Sequence, residues 1–319
     1  MAVHAFVFPG QGSQAVGMGR DLAAAFAPAR EVFEEVDETL SQKLSKLMFE
    51  GPADELTLTE NAQPALMAHS LAVLRVIERE GRVRIADRAI VVAGHSLGEY
   101  SALAAAGAFS LADAARLLRQ RGQAMQKAVP PGEGAMAALL GAELDLAREI
   151  CAAAAETPEG GREVIDPAND NGGGQVVVSG ARGAVERAIE IARGRGVKRA
   201  MLLPVSAPFH CALMAPAADV MAAALERTPP ARPTVPLIAN VSAAKATDPA
   251  EIVRLLVEQV TRTVRWRESV QAMIALGADS FVELGAGKVL SGLIRRVAPD
   301  AAATAVGSPA EIEAFLKSL

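Results

Sequence analysis

Gly94-His95-Ser96-Leu97-Gly98 is a G-x-S-x-G pentapeptide set between an apolar run, 89–93, and an Ala-rich stretch, 99–106, that reads as a helix. Strand, pentapeptide and helix in that order make a nucleophile elbow. The glycines allow a turn where a Cβ would clash. The turn lifts the Ser96 hydroxyl clear of the sheet, beside free backbone N–H groups; the alternative is a tight turn without chemistry. A serine hydroxyl is a poor nucleophile until a base takes its proton. His4 lies in a first strand and His69 among apolar helical residues, so both read as structural, and His95 adjoins the serine, where neighbouring side chains diverge. His210 remains, in the Pro-containing loop 206–210. It reads either as the base or as an ordinary polar loop residue. Serine before histidine is the order of elbow hydrolases, which place an acid between the two. Glu163, Asp166 and Asp170 lie in that interval but in a different structural segment, so none is assigned as orienter. A carbonyl can hold the tautomer instead.

Arg121 is the second unusual residue. On a helix that Ser110 and Asp113 open with a capping-box pattern, Ala114, Leu118, Arg121 and Met125 fall within an arc of about 60°. An arginine therefore sits on the apolar stripe. Its neighbours one turn away, Leu117, Leu118, Ala124 and Met125, are not acidic, and an unpartnered buried guanidinium is costly. Three readings stay open: a carboxylate distant in sequence, a side chain that snorkels past the core edge, or a substrate carboxylate held in a fork.

Two motifs read as decoys. Residues 10–15, Gly-Gln-Gly-Ser-Gln-Ala, match the dinucleotide fingerprint after a strand, with Glu34 or Glu35 as a conceivable ribose acid. Val16-Gly17-Met18-Gly19 does not read as a helix start packed on a strand, which argues against it. Gly285-Ala286-Gly287-Lys288 resembles a phosphate loop, but Val282 stands where the motif needs glycine.

These residues need a scaffold. The chain has 319 residues, enough for one large α/β domain with an insertion. Hydrophobic residues make up 51% and aromatics 3%, which implies a core of Ala, Leu and Val. A net charge of −5 argues against a general nucleic-acid binder. Two cysteines, Cys151 and Cys211, without CxxC spacing suggest neither disulfides nor a zinc site. The N-terminus reads as a first strand at 3–8 rather than a signal peptide, and no apolar stretch is long enough to cross a bilayer. The expectation is a cytoplasmic protein without a metal.

Helices are expected near 19–38, 64–80 and 110–127, with a strand at 89–93. Pro130-Pro131-Gly132 marks a boundary. Beyond it strands at 135–140, opening at 164–165, at 175–179 and at 199–205 alternate with helices at 144–155 and 184–193. That βαββαβ order is the ferredoxin-like arrangement. It implies a small domain at 130–204 inserted in a discontinuous large domain, 1–129 and 205–319. Helices near 213–227 and 249–260, strands at 237–240 and 280–284, and a helix to Arg296 complete the reading.

Gly10–Gln14, Gly94–Glu99, Gln120-Arg121-Gly122 and Pro208-Phe209-His210, in this order, resemble the malonyl-CoA:acyl carrier protein transacylase family of fatty-acid synthesis, whose fold also serves in polyketide synthases. The likeness runs end to end and includes 171–180 and Glu258-Gln259. It implies an α/β-hydrolase-like large domain, a ferredoxin-like small domain and a site in the cleft between them. It implies Ser96 as nucleophile, His210 as base, the backbone N–H groups of Gln11 and Leu97 as oxyanion hole, and Arg121 as anchor for the malonyl carboxylate. Gln259 matches the residue whose main-chain carbonyl orients the histidine. Phe209, Met125 and Gln175 match pocket positions, Phe209 filling the space an α-methyl branch would need. The implied partners are malonyl-CoA and acyl carrier protein, with coenzyme A and phosphopantetheine as substrate carriers, no cofactor, and a monomer. The rivals are a serine esterase or thioesterase, a non-enzymatic relative that docks carrier protein, and a discrete acyltransferase of a secondary-metabolite pathway. Two basic groups, Arg193-Arg195-Lys198-Arg199 and Lys288-Arg295-Arg296, are candidates for docking an acidic carrier, set against a reading as solvated charge.

Overall fold

The computed structural model describes residues 3–318; the outermost residues of the expected large domain, 1, 2 and 319, lie outside them. Among the described residues a six-stranded sheet runs in the order β10-β9-β1-β2-β7-β8. Its strands are β1 (His4–Phe8), β2 (Ala89–Gly94), β7 (Leu237–Ile238), β8 (Lys245–Ala246), β9 (Ser280–Leu284) and β10 (Ala302–Val306). All neighbours are parallel except β7 and β8. Both faces of a parallel sheet are covered by helices, and the strands alternate accordingly. Phe6 and Phe8 pack into one core with helices Thr59–Gly81 and Leu111–Ala128. Ala5 and Val7 face a second core that holds Trp266 and Leu290.

The other sheet is antiparallel, in the order β4-β5-β3-β6, from β3 (Gly134–Leu140), β4 (Ile165–Gly172), β5 (Gln175–Ala181) and β6 (Arg199–Leu202). With helices Leu144–Ala154 and Arg182–Gly194 it has the ferredoxin-like order read from the sequence. Ala135, Ala137 and Leu139 pack under those helices, whereas Met136 faces the larger core. Period-two alternation thus gives β3 one face for its own lobe and one for the cleft.

Several element bounds differ from the sequence reading. The helix expected over 19–38 is two, Arg20–Ala25 and Ala27–Leu40, broken at extended Phe26 just before Pro28. The helix expected from Pro64 starts a turn earlier, at Thr59. β4 continues to Gly172, β6 stops at Leu202, and β7 stops at Ile238. Strand β10 and helices Leu44–Glu50, Trp266–Ala275 and Pro309–Ser318 were not expected.

Candidate active site

Ser96 sits at the C-terminal end of β2, immediately before helix Gly98–Ala105, with φ +53°. That left-handed conformation is uncommon for a residue with a side chain and marks stored strain. The glycines make the turn possible: a Cβ on Gly94 would lie 1.9 Å from the Gly98 carbonyl carbon, and one on Gly98 2.2 Å from the Phe8 carbonyl oxygen. The elbow is wedged between its own helix and β1.

The serine hydroxyl meets His210, distant by 114 positions, with Oγ 2.7 Å from Nε2. The other ring nitrogen, Nδ1, lies 2.7 Å from the main-chain carbonyl of Gln259. A carbonyl can only accept, so Nδ1 carries the proton and Nε2 presents its lone pair to the serine. Burial, reinforced by the nearby Arg121 charge, pushes the His210 pKa down to about 3. The resting imidazole is therefore neutral and able to accept a proton. Nδ1 therefore meets the Gln259 carbonyl expected from the resemblance, and no carboxylate among the described residues takes that position.

Arg121 reaches the same point from helix Leu111–Ala128. It is 1% exposed. Nη2 donates to Ser96 Oγ at 3.1 Å and to Gln259 Oε1 at 2.7 Å, and Nη1 donates to Gln63 Oε1 at 2.7 Å. Its guanidinium carbon lies 5.8 Å from the Tyr100 ring centroid. Nε has no partner among the described residues. No carboxylate comes within ion-pair distance of it there, so a structural salt bridge does not account for this buried charge.

Gln259 is 0% exposed and serves both partners of the serine. Its main-chain carbonyl holds His210 and its side-chain oxygen holds Arg121. Its Nε2 donates to the Ser96 carbonyl at 2.9 Å and to Glu99 Oε2 at 2.6 Å. Asn240 braces the elbow from just past the end of β7: its Oδ1 accepts from Ser96 N–H at 2.8 Å, and its Nδ2 donates to the Gly94 carbonyl at 2.7 Å. Gln63 was absent from the sequence reading, Asn240 appeared only as the end of an expected strand, and Glu99 only within a motif. Asn240 carried one signal, a polar residue just past the carboxyl end of a parallel strand, where α/β folds bind ligands.

A cleft of about 590 Å³ opens in front of Ser96. The large lobe lines it with Gln11, Leu97, Arg121, Met125, Phe209 and His210, and the small lobe with Met136, Asn169, Asn171, Gln175 and Val177. The N–H groups of Gln11 and Leu97 have no hydrogen-bond acceptor among the described residues. Gly10 passes so close to the elbow that a Cβ there would lie 2.7 Å from the His95 carbonyl oxygen. The Gly10–Gln14 segment is thus a wall of this cleft, and Gly17 and Gly19 after it hold positive φ before the helix begins at Arg20. His95 turns away from the serine, with Nε2 2.9 Å from Asn171 Oδ1. His69 is buried against the Gly307 carbonyl at 3.0 Å. Of the basic groups, Arg193, Arg195 and Lys288 pair with Glu190, Glu149 and Glu311, while Arg296 donates to Gln175 at the cleft rim at 2.8 Å.

Residues 5–309 match the family described as "Acyl transferase domain". The chain is 46% identical over 319 residues to the malonyl CoA-acyl carrier protein transacylase of Bacillus subtilis, spanning 100% of this chain and 98% of that protein. The crystal structure of the acyl-carrier-protein-S-malonyltransferase from Bartonella henselae is similar at a TM-score of 0.94 and 57% identity, over 99% of each chain. A type II PKS acyl-carrier protein in complex with its malonyl-transacylase contains a chain similar at a TM-score of 0.94 and 40% identity, over 100% of both.

Proposed function

The chain belongs to the acyl transferase domain family, and from that premise we propose that it moves a malonyl group from malonyl-CoA to the phosphopantetheine thiol of acyl carrier protein. The observation that carries this reading is one serine oxygen held 2.7 Å from a neutral imidazole and 3.1 Å from a buried guanidinium that has no carboxylate partner.

Ser96 Oγ attacks the thioester carbonyl while its proton passes to His210 Nε2. The oxyanion is held by the free N–H groups of Gln11 and Leu97, the kind of preorganised donor pair whose loss of one member costs about 10²–10³ in rate. The carbon–sulfur bond breaks, His210 returns the proton to the coenzyme A thiolate, and O-malonyl-Ser96 remains. The carrier thiol then repeats the sequence in reverse, with His210 again as base. The imidazolium that forms is stabilised by the Gln259 carbonyl at Nδ1.

Selection rests on Arg121. A malonyl carboxylate supplies the counter-charge it lacks, whereas an acetyl group leaves it unpaired, and a site built for a polar group rejects the analogue without one. Met125, Phe209 and Gln175 complete the pocket, Phe209 excluding an α-branch. Nucleophile, base and anchor come from one chain, the steps above use no cofactor, and the two buried free thiols suit a cytoplasmic setting. Acidic carrier protein approaches the rim near Arg296.

Incubation with malonyl-CoA in the absence of carrier, followed by peptide mass spectrometry, tests the reading. The malonyl mass belongs on the Ser96 peptide, vanishes in Ser96→Ala, and is discharged by holo carrier protein. Rapid loss to water, with no transfer to the carrier, would make the chain a thioesterase instead.

A further inference from the structure

The mechanism above leaves a buried carboxyl group beside the nucleophile unused. Glu99, the second residue of helix Gly98–Ala105, is 1% exposed. Its Oε2 accepts from Gln259 Nε2 at 2.6 Å and from the Asn240 main-chain N–H at 3.2 Å, while Oε1 has no partner among the described residues. Burying a carboxylate this incompletely satisfied is expensive, and an apolar side chain of similar volume would serve stability better. Both of its partners belong to the site. Gln259 holds Arg121 and His210, and Asn240 holds the two ends of the elbow through Ser96 N–H and the Gly94 carbonyl.

We propose that Glu99 is a positioning residue for acyl selection: it fixes the side-chain amide of Gln259 and, through it, holds the Arg121 guanidinium where a substrate carboxylate is read. This rests on the anchor role given to Arg121 above. An amide can be turned over at little steric cost, and the two orientations differ only in which end donates. In the observed one, nitrogen faces three acceptors, Glu99 Oε2, the Ser96 carbonyl and, at 3.3 Å, Asn240 Oδ1, and oxygen faces the Arg121 donor. Turned over, the oxygen would face those three acceptors and the nitrogen would face a guanidinium, like against like at every contact. Glu99 brings the one carboxyl oxygen in that set; burial pushes its pKa up to about 7 while the Gln259 bond works against that shift, so the contact is strongest when Glu99 is ionised. It lies near Arg121 without closing an ion pair with it, which leaves the guanidinium available to substrate.

The test compares malonyl-CoA with acetyl-CoA in acylation and carrier transfer, using the full chain and its Arg121→Ala variant alongside. Glu99→Ala lowers kcat/KM for malonyl-CoA by about tenfold or more and leaves acetyl-CoA within about threefold. Glu99→Gln, which keeps an acceptor oxygen toward Gln259, recovers most of the malonyl preference. Adding Glu99→Ala to Arg121→Ala causes no further malonyl-specific loss, because the two act as one unit. If the alanine variant does not fold, Gln259→Leu, which keeps the main-chain carbonyl for His210, must show the same malonyl-specific loss. Equal loss on both substrates, or an additive loss in the double variant, overturns the proposal. Should Arg121→Ala itself lower both substrates equally, the anchor reading fails; should it discriminate while Glu99→Ala does not, only the role of Glu99 fails.

Discussion

Arg121 carries five N–H donors, and the chain occupies three of them with Gln63, Gln259 and Ser96. Neutral amides hold it in place without neutralising it, the condition under which a substrate carboxylate gains most. The same burial acts on the imidazoles. His69 is held at about 4 and His210 at about 3, against 6.5 for a free side chain. Between those values the unfolded chain binds protons that the folded chain does not, so their contribution to stability is complete above pH 6.5 and is lost as pH falls. Each such histidine costs about 1 kcal/mol of folding stability between pH 7.5 and 5.5. His69→Gln, which still offers a donor to the Gly307 carbonyl, loses about 1 kcal/mol less over that interval in urea titrations; equal losses would contradict the assignment. Residue types alone made Ser96, His210 and Arg121 candidates, because each is chemically out of place in its local pattern. The roles of Gln63 and Asn240 were not legible, since a glutamine in a helix and an asparagine after a strand look ordinary until their distant partners are known.

The elbow is a property of elements, not of the pentapeptide. β1, β2 and helix Gly98–Ala105 approach so closely that backbone stands where a side chain would be. Gly98→Ala drives a methyl into the Phe8 carbonyl and should cost roughly 2–4 kcal/mol together with acylation activity. Gly292→Ala is the control, because open space surrounds that helical glycine; it should be neutral or stabilising by up to about 1 kcal/mol. Equal destabilisation by the two substitutions in denaturant titrations would remove the steric account. Strong local signals brought out most elements: the Ser110 side chain accepts from Asp113 N–H at 3.0 Å, as the capping pattern required. β10 escaped because Ala302–Val306 offers little apolar contrast. β4 was legible only at its start, since Ile165–Gly172 is polar and contains Pro167. Its polarity has a reason that lies outside the strand. Asp170 pairs with Arg267 at 2.9 Å, and Asn171 meets His95.

Those two contacts, with the main-chain bonds of Ala168 and Asp170 to Val264, tie the small lobe to the large one beside the nucleophile. The lobes enclose the cleft together, Arg121 and Phe209 from one side and Met136, Gln175 and Val177 from the other; on the proposed function, that enclosure sets which acyl group enters. The lobe order and the inserted position of the small sheet were legible because Pro130-Pro131-Gly132 and the βαββαβ pattern are local. Their meeting was implied only by the resemblance, since the residues that make it form pairs 76 and 97 positions apart. The central claim, that this enclosure is built around a carboxylated acyl group, is tested most directly by the ratio of kcat/KM for malonyl-CoA to that for acetyl-CoA in the wild-type chain and in Arg121→Ala. The account predicts that the ratio collapses by about 10²-fold or more, with acetyl transfer unchanged or raised. A parallel fall on both substrates, leaving the ratio as it was, would contradict it.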